Sequence, residues 1–364
     1  MYRYLKVLAA PGVFTGAVAV LGWALAANSG FPHAAPGETA ATPAGPPVIW
    51  RDPGDIASRD LYYGSGGKSH EPRGTFTFEK EDRQGSSPKF DVVDESGVRW
   101  RVKMGGEARP ETAASRLLWA VGYFTNEDYF VASLRVQNLP RLARGRAFVS
   151  SDGTVHDVRL KRHVTGEKKL GTWSWSHSPF TDTREWNGLR VLMAVLNNWD
   201  LKDVNNAVYQ TIDSRPEQRY LVSDLGASFG TSGVNWTNKG NWKAYCRSKF
   251  VKSVSEGFVD FNAPSGPPAG VFFDMREVVR RMGLLWLGRH IPISDAIWMG
   301  HLLAQITPDQ VRGAFRAAGY SPSETDALFR EFERRVQELE DLGNAKIAGT
   351  TSAVAVHPKP VPGR

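Results

Sequence analysis

The chain has 364 residues, of which 41% are hydrophobic and 23% charged, as expected for a globular protein with about two domains or lobes. Its net charge of +7 comes without a block of Lys and Arg, so no nucleic-acid partner is indicated. A single cysteine, Cys246, excludes an intramolecular disulfide and multi-cysteine metal sites, and the eight His lack the spacing of a zinc centre.

The first 27 residues have the pattern of an export signal or membrane anchor. MYRYLK gives a basic start, residues 7–27 carry no charge, and Ala24-Leu25-Ala26 fits a small-x-small cleavage site. As a helix the uncharged stretch would span about 31 Å, enough to cross a bilayer. We therefore predict an extracytoplasmic protein, either secreted after cleavage or anchored in the membrane through residues 7–27.

After a flexible, Pro- and Ala-rich linker at 28–48, residues 49–165 predict a β-rich N-terminal lobe. Alternating polar and apolar residues predict three strands in GTFTFEKED, KFDVVDE and VRWRVKM, and two more in DYFVASLRV and TVHDVRLKR. Between them, ARPETAASRLLWAVGY predicts a helix with Pro110 and Glu111 at favourable positions near its start. The order β-β-β-α-β-β predicts a small antiparallel sheet with one helix.

Residues 166–343 predict a mainly helical C-terminal lobe, so the expected fold class is α+β. Apolar periodicity predicts helices at about 184–197, 274–288, 294–305, 308–318 and 322–342. The last begins with SPSE, a capping box, and a hairpin of NAVYQTI and RYLVSD follows the first. The composition of residues 344–364 predicts a disordered tail.

The first of these helices is almost wholly apolar, yet it leads directly into NNWDLKDVNNAVY. Burying charged groups is costly unless they are paired or bind a ligand, so this segment is either a solvated loop or a ligand-facing one. Asp200, Lys202 and Asn205 form D-x-K-x-x-N within it. Asp224 opens D-L-G at the end of the hairpin, 24 residues after Asp200.

The order of these motifs resembles the protein-kinase-like fold. D-x-K-x-x-N, a hairpin and D-L-G look like that family's catalytic loop and metal-binding motif. WRVKM resembles its third-strand lysine, and the helix that follows resembles the one carrying the glutamate partner of that lysine. The similarity is to divergent bacterial kinases related to the HipA and phosphatidylinositol-kinase-like families. It spans about 74–342 as an order of elements, with close matches only in the short motifs.

The resemblance implies an ATP- and Mg²⁺-dependent phosphotransferase that moves the γ-phosphate to a hydroxyl of a protein or a small molecule. Asp200 would orient the attacking hydroxyl or accept its proton, and Lys202 would lie over the transferring phosphate. The turn holding Gly85 and Ser86 would cover the phosphates. No motif in the sequence indicates which substrate is recognised, so the acceptor stays unidentified.

The resemblance also implies the groups that hold the nucleotide and its metal. Lys103 would hold the inner phosphates while paired to Glu111, with Glu107 competing for the same role. Asn205 and Asp224 would ligate Mg²⁺, which prefers oxygen donors.

Two other classes of function stay open at this level. A catalytically inactive kinase-like binding module would keep the cleft but transfer no phosphate, and the scarcity of ATP outside the cytoplasm favours it. A structural envelope protein with a coincidental polar loop would bind no nucleotide. Catalytic activity is favoured because every charged residue of the kinase-like motifs is present.

Overall fold

The computed structural model describes residues 45–85, 87–212, 214–230, 240–262 and 283–353, with side chains placed as far as residue 343. The predicted export segment, most of the linker, Ser86 and most of the helix predicted at 274–288 lie outside these residues. Within them, no helix is both long enough and apolar enough to cross a membrane.

The first half of the described chain contains six strands and one α-helix. They are β1 (Pro47–Val48), β2 (Phe76–Asp82), β3 (Lys89–Asp94), β4 (Arg99–Met104), α1 (Ala108–Ala120), β5 (Asp128–Gln137) and β6 (Thr154–Arg162). The predicted β-β-β-α-β-β order is therefore present. Strands β2 to β6 close into a barrel in the order β2-β3-β4-β6-β5, through a short parallel pairing of β2 with β5 that the sequence pattern does not reveal.

The barrel has an apolar interior and a charged outer face. Phe90, Val92, Trp100, Val102, Met104, Val158 and Leu160 are buried in its core. Because side chains alternate along a strand, the residues between them point away from that core. On β4 and β6 these are cations, and the register places Lys103 opposite Arg159 and Arg101 opposite Lys161. The outer face thus carries a block of four cations that carboxylates must balance.

The second half of the described chain contains the remaining elements. They are β7 (Glu167–Gly171), α2 (Arg184–Val195), β8 (Asn206–Thr211), β9 (Gln218–Val222), α3 (Trp242–Arg247), β10 (Val251–Ser255), β11 (Phe258–Phe261), β12 (Ile291–Pro292), α4 (Ile293–Leu303), α5 (Pro308–Ala317) and α6 (Pro322–Ala353). The strands form two sheets, β1-β9-β8-β7 and β10-β11-β12. The mixed α+β class is confirmed.

Two boundaries differ from the sequence prediction. β1 lies within the predicted linker and pairs in parallel with β9, so ordered structure starts before residue 49. At the other end α6 continues to Ala353, so the first part of the predicted tail is helical.

Helix α2 is the centre of the larger hydrophobic core. Thr183 caps its start by accepting a hydrogen bond from the backbone N–H of Trp186. From Trp186 onward its residues are buried, and Trp186 packs against Trp173 and Trp175. Asn197, in the left-handed region at φ 52°, lies just beyond the helix end. The buried part of α2 therefore leads directly into the polar loop.

Candidate active site

The ammonium of Lys103 lies among three carboxylates. Its Nζ is 2.8 Å from Glu107 Oε2, 2.9 Å from Glu111 Oε2 and 3.0 Å from Asp224 Oδ1. The two glutamates come from the start of α1, directly after β4, and Asp224 comes from the segment after β9. Both glutamates that the sequence left as competitors pair with Lys103, so neither excludes the other.

A second cation, Arg159 on β6, extends this cluster. Its guanidinium is 2.7 Å from Glu111 Oε1 and 3.3 Å from Asp128 Oδ1. Glu111 is only 1% exposed, and burial raises the pKa of its carboxyl while Arg159 and Lys103 act against that rise. Sequence reasoning missed Arg159 and Asp128 as site residues. The signal that the sequence offered was a charged side chain at a strand position next to core residues.

Asp224 is the exposed member of the cluster, with 42% of its side chain accessible. The backbone N–H of Gly226 donates to its Oδ1 at 3.2 Å. Partial desolvation favours the neutral carboxyl, but the Lys103 ammonium and these hydrogen bonds outweigh it and hold the pKa of Asp224 well below its usual range. Burial likewise opposes the charge on Lys103, and the surrounding carboxylates raise its pKa overall. Lys103 and Asp224 are therefore both ionised at neutral pH.

The loop after α2 fixes Asp200 through its neighbours. The side-chain oxygen of Asn198 accepts a hydrogen bond from the backbone N–H of Asp200 at 3.2 Å. Asp200 is 8% exposed, and its Oδ1 lies 3.2 Å from the ammonium of Lys202. The two residues predicted to be catalytic thus form an ion pair on this loop.

Asn205 joins this loop to Asp224. Its side-chain N–H donates to the carbonyl of Asp200 at 2.6 Å, and its own carbonyl accepts from the backbone N–H groups of Ser223 and Asp224, at 2.7 and 3.0 Å. The D-x-K-x-x-N and D-L-G motifs therefore lie side by side.

The donor set at this junction fits a magnesium ion. The amide nitrogen of Asn205 is engaged, and in the described part of the chain no hydrogen bond engages its amide oxygen, which leaves it and the accessible carboxylate of Asp224 as hard donors. Among the described residues no three His, Cys, Asp or Glu converge on a metal position. A Mg²⁺ ion held here would therefore need further oxygens from its ligand, as phosphates provide.

The turn predicted to cover the phosphates differs in detail. The carbonyl of Gly85 accepts a hydrogen bond from the guanidinium of Arg144 at 2.6 Å, and Ser86 lies outside the described residues. Ser87, which the sequence analysis did not select, donates from its hydroxyl to Glu107 Oε2 at 2.8 Å. The turn therefore meets the cluster through Ser87, with Glu107 as the link to Lys103.

Comparison with known proteins gives only distant matches. No protein-family model matches the chain, and no curated protein matches its sequence. Among solved structures it is similar to the Helicobacter pylori proinflammatory kinase CtkA, at 10% identity and a TM-score of 0.43, over 78% of this chain and 100% of that one. It is also similar to the golgi casein kinase, at 8% identity and a TM-score of 0.36, over 76% and 74% of the two chains. We therefore base the function on the geometry of the chain itself.

Proposed function

We propose that this protein is an ATP- and Mg²⁺-dependent phosphotransferase with a two-lobed, protein-kinase-like fold, acting on a hydroxyl of a protein or small-molecule acceptor. One observation carries the proposal. The ammonium of Lys103, on a strand, lies within 3.0 Å of the carboxylates of Glu111, on a helix, and Asp224, after the hairpin. Lys103 and Asp224 are 121 residues apart in the sequence. A structural protein with a coincidental polar loop has no need for that convergence.

The chemistry asked of the site is mainly positioning and charge neutralisation. Bound Mg²⁺, held by Asp224 and Asn205, would supply the positive charge that the transferring phosphate requires. Lys103, kept in place by Glu111, would hold the inner phosphates. Asp200 would then orient the acceptor hydroxyl and take its proton, a contribution of roughly 10²–10⁴ in rate. A relation to the HipA and phosphatidylinositol-kinase-like families belongs to the same proposal.

The proposal predicts Mg²⁺-dependent nucleotide binding that requires Asp224. ATP at roughly 100-fold its Kd should stabilise the wild-type full chain by about 2.7 kcal/mol in a thermal-shift assay, and only when Mg²⁺ is present. Asp224→Ala should lose this increment. Asp203→Asn is the matched control, because Asp203 lies in the same loop but bonds the backbone of Trp175. Equal Mg²⁺-dependent shifts in wild type and Asp224→Ala would contradict metal ligation by Asp224.

The placement of the protein outside the cytoplasm is a separate proposal, supported by the basic start and the uncharged run at 7–27. An exported kinase would need an external source of nucleotide. Fractionation of cells carrying the full chain with a C-terminal tag should recover it outside the cytoplasm, in the membrane if the segment is not cleaved. Recovery in the cytosol would overturn this placement and leave the site unaffected.

A further inference from the structure

Arg335, on α6, is a fully buried arginine that lies outside the candidate active site, with 0% of its surface exposed. A guanidinium is costly to bury unless it is paired and hydrogen-bonded, so the positions of its partners indicate its role. The carboxylate of Glu331, on the same helix, balances the charge, with Oε1 2.7 Å from Nε of Arg335. The two terminal nitrogens, Nη1 and Nη2, bond to two other elements of the fold.

The first of these elements is the end of α2. Nη1 of Arg335 donates to the carbonyls of Ala194 and Val195, at 3.0 and 3.1 Å. The hydroxyl of Tyr245 donates to the carbonyl of Val195 as well, at 2.9 Å. The last carbonyls of a helix lack intrahelical partners and carry partial negative charge, so a cation and a hydroxyl stabilise them. These donors hold the chain just before the loop that carries Asp200.

The second element is α3, which follows the D-L-G motif in the chain. Nη2 of Arg335 donates to the hydroxyl oxygen of Ser248 at 2.6 Å and to the carbonyl of Tyr245 at 3.3 Å. The guanidinium also lies over the ring of Tyr245, 4.1 Å from its centroid. One planar group therefore joins α6, the end of α2 and α3.

The segment after D-L-G meets the same helix end. The backbone N–H of Phe229 donates to the carbonyl of Leu196 at 2.8 Å, and the Phe229 ring packs edge-on against Tyr245, with centroids 5.5 Å apart. Asp224 has anchors of its own, the Lys103 ammonium and the backbone N–H of Gly226. A displacement of the end of α2 should therefore move Asp200 more than Asp224.

We propose that Arg335 is a positioning residue for phosphate transfer, which fixes the loop of Asp200 through Tyr245 and the last carbonyls of α2. The inference rests on the proposed function, because it takes Asp200 as part of the chemistry. A displacement of about 1 Å in a reacting group can lower a rate by about 10². Lysine would keep the charge, but its single ammonium cannot replace the planar fork that serves α2 and α3 together.

The test compares Arg335→Lys with wild type, both as the full chain, in release of γ-phosphate from saturating ATP and Mg²⁺ in a single turnover. The rate should fall by at least about tenfold. The Kd for ATP should change by less than about twofold, because Lys103 and Asp224 keep their contacts. If Arg335→Lys does not fold, Tyr245→Phe, which removes only the hydroxyl on Val195, should lower the rate by more than about twofold at unchanged Kd.

Arg116→Lys is the matched control. Arg116, on α1, is 2% exposed and also donates to three backbone carbonyls, none of them in the Asp200 loop. Its replacement should lower the Tm, as Arg335→Lys does, but leave the transfer rate within about twofold of wild type. Equal rate losses in these two variants, or wild-type rates in both Arg335→Lys and Tyr245→Phe, would overturn the proposal.

Hydrogen exchange tests the anchor without relying on catalysis. Backbone amides of residues 198–202 should exchange at least about tenfold faster in Arg335→Lys and at the wild-type rate in Arg116→Lys. If the wild type transfers no phosphate, the proposed function fails, while faster exchange in Arg335→Lys still supports Arg335 as the group that holds this loop. Unchanged exchange in Arg335→Lys would overturn that role whether or not the wild type is active.

Discussion

Replacing Lys103 by methionine is expected to destabilise the protein by about 3–5 kcal/mol and to abolish nucleotide binding. Methionine keeps the apolar stem but removes the ammonium that lies within 3.0 Å of Glu107, Glu111 and Asp224. Two of these carboxylates come from one turn of α1, so they repel each other once the cation is gone. Urea unfolding at pH 7 measures the loss, and a nucleotide titration measures the binding.

The pH dependence of the free energy of unfolding gives a further test of this prediction. The folded-state pKa of Asp224 is lowered, so its stabilising contribution is present above its unfolded pKa of about 3.9 and is lost as the pH falls through the folded value. The difference in stability between wild type and Lys103→Met should therefore narrow as the pH falls below about 4, because Asp224 then loses its stabilising contribution in the wild type.

Lys80→Met is the matched control for Lys103→Met. Lys80 lies on β2, two strands from β4 in the barrel, and forms a longer ion pair, 3.8 Å from Asp91, with 63% of its side chain exposed. Because the lysine is largely in solvent and Asp91 keeps its two hydrogen bonds to Arg101, losing this pair should cost about 0–1 kcal/mol. If Lys103→Met lost no more stability than Lys80→Met, the cluster would not be the electrostatic centre that the distances indicate.

Replacing Asp200 by asparagine is expected to slow phosphate transfer by about 10²–10⁴ while leaving nucleotide affinity nearly unchanged. Asparagine preserves the size of the side chain but cannot accept the proton of the acceptor hydroxyl. Asp200 pairs with Lys202 rather than with Lys103, so the predicted nucleotide-holding cluster stays intact. Release of γ-phosphate or self-phosphorylation, followed under single-turnover conditions, gives the rate without knowledge of the natural acceptor.

The control for this rate is Asp203→Asn, three positions further along the same loop, which should transfer phosphate like the wild type. Equal rates for wild type and Asp200→Asn would remove Asp200 from the chemistry. Tight, Mg²⁺-dependent nucleotide binding with no transfer by the wild type would instead support the catalytically inactive binding module.

Local patterns predicted the elements well because their causes are local. Polar and apolar residues alternate along KFDVVDE and VRWRVKM because only one side of the barrel strands faces the apolar core. The burial of α2 can be predicted from its run of apolar residues alone. The proximity of Lys103 and Glu111 follows from the short link between β4 and α1. Each of these inferences uses residues that lie close together in sequence.

The features that sequence analysis missed depend on long-range geometry. Arg159 meets Glu111 only because β6 pairs with β4 in one register, and a shift by one residue would turn its side chain to the other face. Closure of the barrel likewise depends on two residue pairs between β2 and β5. The contact of Ser87 with Glu107 depends on how the β2–β3 turn folds over α1. No periodicity encodes these contacts.

The most direct measurement is anomalous diffraction from crystals grown with Mn²⁺ in place of Mg²⁺ and a non-hydrolysable ATP analogue. We expect one manganese peak beside the oxygens of Asp224 and Asn205, with the nucleotide phosphates against Lys103 and the Lys103–Glu111 pair preserved. A nucleotide bound elsewhere, or no manganese peak while Asp224 remains on Lys103, would contradict the assignment of this cluster as a phosphotransfer site.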